Sequence, residues 1–429
     1  MRICASLGKG FDAMELKNAD IIEIRTDLVG MPEGLPDVPK ILTFKGNDVV
    51  IPKGFNGMVD TGELPVKHPG IITLCSYHDR SGTPDKERIL DKVNAMHSDI
   101  VKAVYTPHDL KDLNSICDAS RSVKKKHVIF GMTELGTITR IRQDILGNEF
   151  TFAHSGTPTA EGQLSVSEMK GLEDCMITGI VGHPIGHSLS PKMHNAAFRE
   201  LGISGTYLRF DTPNLNGLKE FMINYDVKGV NVTIPYKTDV IEHLDSLDKI
   251  SERIGAVNTV TNTEGVLNGS NTDVHGIEQA FLKAGIDIGG LRVLVLGSGG
   301  VARACAYFLN EKGCRTSIVS RNSATSEELS KEFGTEILGR DSIAIRLFDV
   351  VVNCTPVGMH DDSVPIPTEH LNGHIVFDMI YGETKLKEIA KKKNCILVSG
   401  KGMLASQGSL SFETWTGRTL PDGLMRSVI

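Results

Sequence analysis

Two lysines and a histidine stand where their chemistry is informative. Lys102 interrupts the apolar run Ile-Val-Lys-Ala-Val. A buried ammonium is expensive unless it is paired or neutral, and a neutral amine facing a ketone forms an imine. The bland reading is a lysine snorkelling along an outer strand face. His78, in Ser-Tyr-His-Asp, supplies proton transfer near neutral pH. Glu23 and Arg25 are two residues apart in Ile-Ile-Glu-Ile-Arg and share a face if that run is a strand. Further on, Gly229-Val-Asn-Val-Thr-Ile-Pro-Tyr-Lys237 alternates like a strand that ends at Pro235, delivering Thr233 and Lys237 to a loop. With Asn258 and Asp273 these make a set for proton transfer and polyol binding. Taken singly, Asn258 and Asp273 are better read as residues that stabilise turns. Ser188 and Ser190 precede a helix start at Pro191 that Gly202 closes, and free N–H groups at such an end bind anions. Ser190 also fits a plain N-cap.

A nucleotide-type turn follows. Leu291 to Arg303 reads as a strand, the turn Gly297-Ser298-Gly299-Gly300, then a helix through Val301 and Arg303. That context suits a dinucleotide pyrophosphate at a helix N-terminus. The next strand ends Ser320-Arg321-Asn322, with no acid to repel a 2′-phosphate and an arginine to bind it, so NADP is expected over NAD.

These groups need elements to hold them. Residues 1–172 contain eight short apolar runs: Arg2–Ser6, Asp20–Arg25, Lys40–Phe44, Gly57–Asp60, Gly70–Ser76, Ile100–Tyr105, His127–Met132 and Phe150–His154. With helical patterns at Phe11–Asn18, Lys86–His97, Leu110–Val123, Ile138–Leu146 and Val166–Leu172, they predict a (β/α)8 TIM barrel. The second to fourth connections carry Pro at 32, 36, 52 and 65, so helices 2–4 are expected to be trimmed. The bared side then needs cover from the second unit or another subunit; homo-oligomerisation stays open. Residues 286–399, which hold the glycine turn, are expected to form a Rossmann domain, preceded by a further domain at 176–285. The basic runs Lys124–Lys126 and Lys391–Lys393 read as solvated faces.

Bulk properties narrow the class. A chain of 429 residues predicts two or three domains. A net charge of −7 argues against nucleic-acid partners, and no apolar run is long enough to span a membrane. Eight scattered cysteines without a CxxC pair suit reduced thiols in the cytoplasm. No metal-ligand spacing is evident.

The first unit resembles type I 3-dehydroquinate dehydratase. The likeness is carried by Ile-Ile-Glu-Ile-Arg, Ser-Tyr-His-Asp, Ile-Val-Lys, Gly-Thr-Ile-Thr-Arg140 and Gly-Thr-Pro-Thr-Ala-Glu-Gly-Gln-Leu-Ser, in that order. The resemblance implies a Schiff base at Lys102, His78 as acid–base, and Arg140 on the substrate carboxylate. Ser6, Glu23, Arg25, Lys45, Thr159 and Gln163 would line the site. Lys45 stands where the family has arginine, keeping charge but losing the planar fork. Glu63 falls one residue late for the family's fourth-strand pattern, so no role is carried to it.

The second unit resembles shikimate dehydrogenase, through Ser188-Leu-Ser190-Pro, Asn-Val-Thr233-Ile-Pro-Tyr-Lys237, Ala-Val-Asn258-Thr, Asn-Thr-Asp273, Asp-Met-Ile-Tyr381 and Gly400-Lys-Gly-Met-Leu-Ala-Ser-Gln407. The resemblance implies Ser188 and Ser190 on a carboxylate, Lys237 and Asp273 in proton transfer, and Thr233, Asn258, Tyr381 and Gln407 on hydroxyls, with 400–429 folding back to complete a substrate-binding domain at 176–285 around the cofactor fold. The cofactor would meet Gly297, Ser298, Gly299, Gly300, Val301, Arg303, Ser320, Arg321, Asn322, Met379 and Gly400. Together the resemblances imply successive conversion of 3-dehydroquinate to 3-dehydroshikimate and then shikimate. A dehydrogenase with a non-catalytic barrel, and a quinate-directed dehydrogenase, are the competing readings.

Overall fold

The computed structural model describes residues 1–45, 49–63 and 70–429. The expected break at Leu64-Pro65 lies outside the described residues. The chain divides into two compact units, 1–186 with 203–228, and 187–202 with 229–429.

The first unit opens with β1 (Ile3–Leu7), α1 (Ala13–Leu16), β2 (Ile21–Arg25), α2 (Thr26–Val29), β3 (Lys40–Thr43), β4 (Met58–Asp60) and β5 (Ile72–His78). It continues with α3 (Lys86–Ala95), β6 (Ile100–Tyr105), α4 (Leu110–Ser122), β7 (His127–Gly131), α5 (Thr137–Ile141), α6 (Gln143–Leu146), β8 (Thr151–His154) and α7 (Val166–Lys170). Eight parallel strands run in the order β7-β6-β5-β4-β3-β2-β1-β8. The sheet is a nearly closed barrel. At its seam Asn148 substitutes for a strand: its side chain accepts from Ile129 N–H at 2.7 Å and donates to Ile129 O at 2.9 Å. Glu149 N–H reaches His127 O at 2.9 Å.

The trimming expected after β2–β4 is present, since α2 has four residues and no described helix follows β3 or β4. The outward residues Ile22, Ile24, Leu42 and Val59 are still fully buried within the single chain. Cover from another subunit is therefore not required. The inward face alternates with it, as the period of two demands: Cys4, Ile21, Ile41, Met58, Leu74, Ile100, Val104, Phe130 and Phe152 form the core. Lys125 is not simply solvated. Its ammonium bonds to Asn94 O and Met96 O at the end of α3.

The chain goes on through β9 (Met176–Gly182), α8 (Ser190–Glu200), β10 (Gly205–Asp211), α9 (Leu218–Asn224) and β11 (Val227–Val232). Within the first unit β9 and β10 pair in parallel, and α9 packs on α4. Tyr225, fully buried, donates to Leu113 O at 2.6 Å, and the Arg142 guanidinium bonds to Tyr225 O at 3.0 Å.

In the second unit follow β12 (Ser246–Leu247), α10 (Lys249–Ile254), β13 (Thr259–Thr263), β14 (Val266–Ser270) and α11 (Asp273–Lys283). Next come β15 (Arg292–Leu296), α12 (Gly300–Glu311), β16 (Arg315–Val319), α13 (Ser323–Phe333), β17 (Glu336–Ile337), β18 (Val350–Asn353), β19 (Ile375–Asp378), α14 (Lys385–Lys392), β20 (Ile396–Ser399), α15 (Gly400–Thr416) and α16 (Leu424–Ser427). The parallel order β17-β16-β15-β18-β19-β20 is a doubly wound Rossmann-type sheet. The long α15 returns to β13: Trp415 donates to Val260 O at 3.1 Å, and Gly229 leaves room for its indole.

Candidate active sites

In the barrel, strand register gathers the polar residues. Ser76 pairs with Lys102, and Ser6 with Glu23. His78 lies two residues beyond Ser76 on the same face, toward the C-terminal rim where barrels place chemistry. Lys102 is 6% exposed. Its ammonium lies 3.9 Å from Asp60 and 4.0 Å from Glu23, and 4.0 Å above the Phe152 ring. The inner-face placement excludes the snorkelling reading, and two carboxylates offset the cost of burial. Those carboxylates are themselves held. Glu23 accepts from Ser6 at 2.5 Å and Thr43 at 2.8 Å, while Asp60 accepts from Ser76 at 2.7 Å and Gly62 N–H at 3.0 Å. Burial raises the pKa of Asp60, opposed by Lys102. Asp60, Thr43 and Ser76 were not anticipated as site groups; a polar side chain in the same strand layer as Lys102 was the available signal.

Burial, reinforced by Lys102 and Lys45, drives the His78 pKa down to about 3. His78 is therefore a neutral imidazole at ordinary pH. Arg140, on α5, is 1% exposed. Its guanidinium stacks 4.2 Å from the Phe130 ring and donates weakly to Phe152 O at 3.4 Å. Its Nε has no partner, and among the described residues no carboxylate lies within ion-pair distance. Burial lowers its pKa to about 9. Such a cation has unused capacity for a carboxylate. Arg25 sits at the rim but is forked onto Asp27 at 2.7 and 2.9 Å. Lys45 follows β3, its pKa lowered by partial burial and by the Arg25 and Lys102 cations. Gln163 closes a loop by accepting from Thr159 N–H at 2.8 Å and its hydroxyl at 3.0 Å.

In the second unit the Lys237 ammonium is bonded to the Asp273 carboxylate. Asp273 is the first residue of α11, where the dipole favours an anion. The Asn258 amide donates to Asp273 at 2.9 Å and to Gln407 at 3.3 Å. Asn258 thus joins these groups rather than only stabilising a turn. Thr272 and Ser411, unanticipated, extend the network: Thr272 N–H donates to Asn258 Oδ1 at 2.8 Å, and the two hydroxyls lie 3.1 Å apart. Thr233 sits just past β11, and Tyr381 just past β19. Burial, with the Asp273 charge adding, pushes the Tyr381 phenol up to about 12. Ser190 is not the N-cap: Leu189 is, and Ser190 occupies the first helical position without a side-chain capping bond. Ser188 Oγ accepts from Ser190 N–H at 3.3 Å.

The glycine turn has the features a dinucleotide needs. Gly297 has φ +105°, a Cβ on Gly299 would meet nothing within 4 Å, and α12 begins without a side-chain cap. A Cβ on Gly300 would come within 2.7 Å of Lys237, so the turn abuts the lysine. Gly400 packs against Asp378 O, and Met379 lies between them in sequence. Ser298 bonds to Ser320 at 3.0 Å, and Asn322 caps α13. Arg321 is exposed. Arg303 is committed to protein groups, binding Ile254 O at 2.6 Å, Glu328 at 3.1 Å and Glu332 at 2.6 Å. It ties α12 to α13.

The type I 3-dehydroquinase family model matches residues 64–176, and that of the shikimate dehydrogenase substrate binding domain matches residues 180–260. Shikimate dehydrogenase (NADP(+)) of Methanopyrus kandleri is 40% identical over 273 residues, covering 59% of this chain and 94% of the relative. The chain belongs to the shikimate dehydrogenase family. Among solved structures, shikimate dehydrogenase from Aquifex aeolicus matches with TM-score 0.57 and 34% identity, covering 59% of this chain and 97% of that one. The Thermus thermophilus enzyme in complex with NADP(H) and shikimate matches with TM-score 0.55 and 36% identity, covering 59% and 98%. A type I 3-dehydroquinase segment thus precedes a shikimate dehydrogenase in one chain, combining a lyase with an oxidoreductase. No described helix is long and apolar enough to cross a membrane, and no cluster among the described residues could hold a metal ion. All eight cysteines are free.

Proposed function

We propose that the chain is a cytoplasmic, bifunctional shikimate-pathway enzyme with its domains divided at 1–172, 176–285 with 400–429, and 286–399. The barrel dehydrates 3-dehydroquinate, and the second unit reduces the resulting 3-dehydroshikimate to shikimate with NADPH. The observation that carries this reading is the buried Lys102 between two carboxylates, with a neutral His78 further along the adjacent strand.

In the first reaction the Lys102 ammonium gives a proton to the neighbouring Asp60 and Glu23 carboxylates, the free amine attacks the substrate ketone, and water leaves, forming an imine. Neutral His78 takes the adjacent proton, then returns it to the departing hydroxyl. Hydrolysis frees the amine. Arg140 pairs with the substrate carboxylate, and Ser6, Glu23, Arg25, Lys45, Thr159 and Gln163 line the remaining surface. In the second reaction Ser188 and Ser190 bind the carboxylate, while Thr233, Asn258, Tyr381 and Gln407 hold hydroxyls. The ketone carbon would be reduced by hydride from NADPH when that cofactor is bound. The hydrogen-bonded pair Lys237 and Asp273 delivers the proton to the oxygen. Gly297–Val301 would hold the pyrophosphate, Met379 and Gly400 the nicotinamide end, and Ser320–Asn322 the adenosine 2′-phosphate.

Borohydride reduction tests the covalent step. With saturating 3-dehydroquinate, mass spectrometry should find a substrate adduct on the Lys102 peptide. Its absence under those conditions contradicts the reading.

A further inference from the structure

The segment from Asp378 to Thr384 carries Met379 and Tyr381, and buried groups outside the reaction scheme hold it. Asp378, 1% exposed, accepts from Asn353 at 3.0 Å, from the Thr384 hydroxyl at 2.6 Å and from Ile380 N–H at 3.3 Å. Lys387, in the first turn of α14, is 9% exposed. Its ammonium donates to the Ile380 carbonyl and, at 2.7 Å, to the Gly382 carbonyl. These two carbonyls flank Tyr381. Among the described residues no carboxylate lies within ion-pair distance of Lys387.

A lysine is a poor choice for packing here. Its neighbours on α14, Leu386 and Ala390, are fully buried apolar residues, and a buried ammonium without a paired anion is costly. Burial lowers its pKa, with Asp378 opposing. What the ammonium gains is two charge-assisted bonds on either side of one residue. The Ile380 and Gly382 carbonyls are thereby pinned to a single atom.

We propose that Lys387 is a positioning residue of the dehydrogenase site, fixing the loop that presents Tyr381 by binding the carbonyls on either side of it. The inference rests on the reading of Tyr381 as a substrate-holding group.

A double-mutant cycle on the full chain tests it. The variants are Lys387→Met, Tyr381→Phe and the pair, with shikimate oxidation by NADP as readout. Lys387→Met should raise the shikimate KM about tenfold while kcat changes less than about threefold, and Lys387→Arg should restore part of the loss. In the Tyr381→Phe background the same change should alter KM less than about twofold, because the hydroxyl being positioned is gone. An unchanged KM in Lys387→Met, or an equal multiplication of KM in both backgrounds, overturns the proposal. An unchanged KM for NADP and an unchanged thermal melt of the same preparation report folding of the unit that holds Lys387. If Lys387→Met fails that control, Lys387→Gln enters the cycle under the same criteria. A wild-type chain inactive on shikimate refutes the underlying reading instead, and is told apart by needing no variant.

Discussion

The Lys102 ammonium lies 3.9 Å from the Asp60 carboxylate in the barrel interior. Two strands separate from each other in the chain deliver the pair, with Ser76 on the strand between them bonded to the same carboxylate. Asp60→Asn keeps the shape and removes the charge, leaving Glu23 as the nearby anion. It should cost about 1–3 kcal/mol of stability and lower dehydratase kcat about tenfold or more, equivalent to about 1.4 kcal/mol in the barrier. Urea unfolding and single-substrate kinetics check both.

Arg140 separates stability from affinity. A guanidinium buried over Phe130, with no carboxylate of the described residues within ion-pair distance, is a cost to the fold that substrate binding offsets. Arg140→Met should therefore raise the 3-dehydroquinate KM by about 10–100-fold, the range expected for losing a charged hydrogen bond of about 1.5–3 kcal/mol. The same change should raise Tm by a few degrees, as removal of an uncompensated buried charge does. A fall in Tm would contradict this account of Arg140.

The depressed pKa of His78 has a signed consequence. In the unfolded chain His78 binds a proton below about 6.5, whereas in the folded barrel it does so only near pH 3. The stability it contributes is present above pH 6.5 and is lost as pH falls from there toward 3. Fully buried His194, also depressed to about 3 by burial, adds the same sign in the second unit. His78→Gln should flatten the fall of unfolding free energy between pH 6.5 and 4. An NMR titration should show no charging of His78 between pH 5 and 8.

In the second unit, Lys237→Ala and Asp273→Asn should each lower kcat for shikimate oxidation by about 10²–10⁴ with KM changed only a few-fold. Effects confined to KM would remove both groups from proton transfer. Arg321→Ala should reduce the preference for NADP over NAD by about 10–100-fold, read from the ratio of kcat/KM values.

The elements are largely legible because their signals are local. Alternation and short apolar runs mark all eight barrel strands within a residue or two, and prolines at 32, 36 and 52 mark trimmed connections. The site is legible where a residue type is costly in its context, as with Lys102. Asp60 is not, because its approach to Lys102 arises only when β4, β5 and β6 come together. The cap at α8 falls one residue before the serine expected there, since serine suits both positions. Arg303 follows the glycine turn closely in sequence, yet the helical period aims it at Glu328 and Glu332, partners more than 20 residues away that no local pattern reveals. Lys387 hides in the charged string Lys-Leu-Lys-Glu, where burial of one lysine has no local mark.

The most direct measurement gives the purified chain 3-dehydroquinate and NADPH in one cuvette, with NADH in a parallel sample. The account predicts nicotinamide oxidation with stoichiometric shikimate, faster with NADPH. No oxidation from 3-dehydroquinate, but rapid oxidation once 3-dehydroshikimate is added, would contradict it by showing that the trimmed barrel does not dehydrate its substrate.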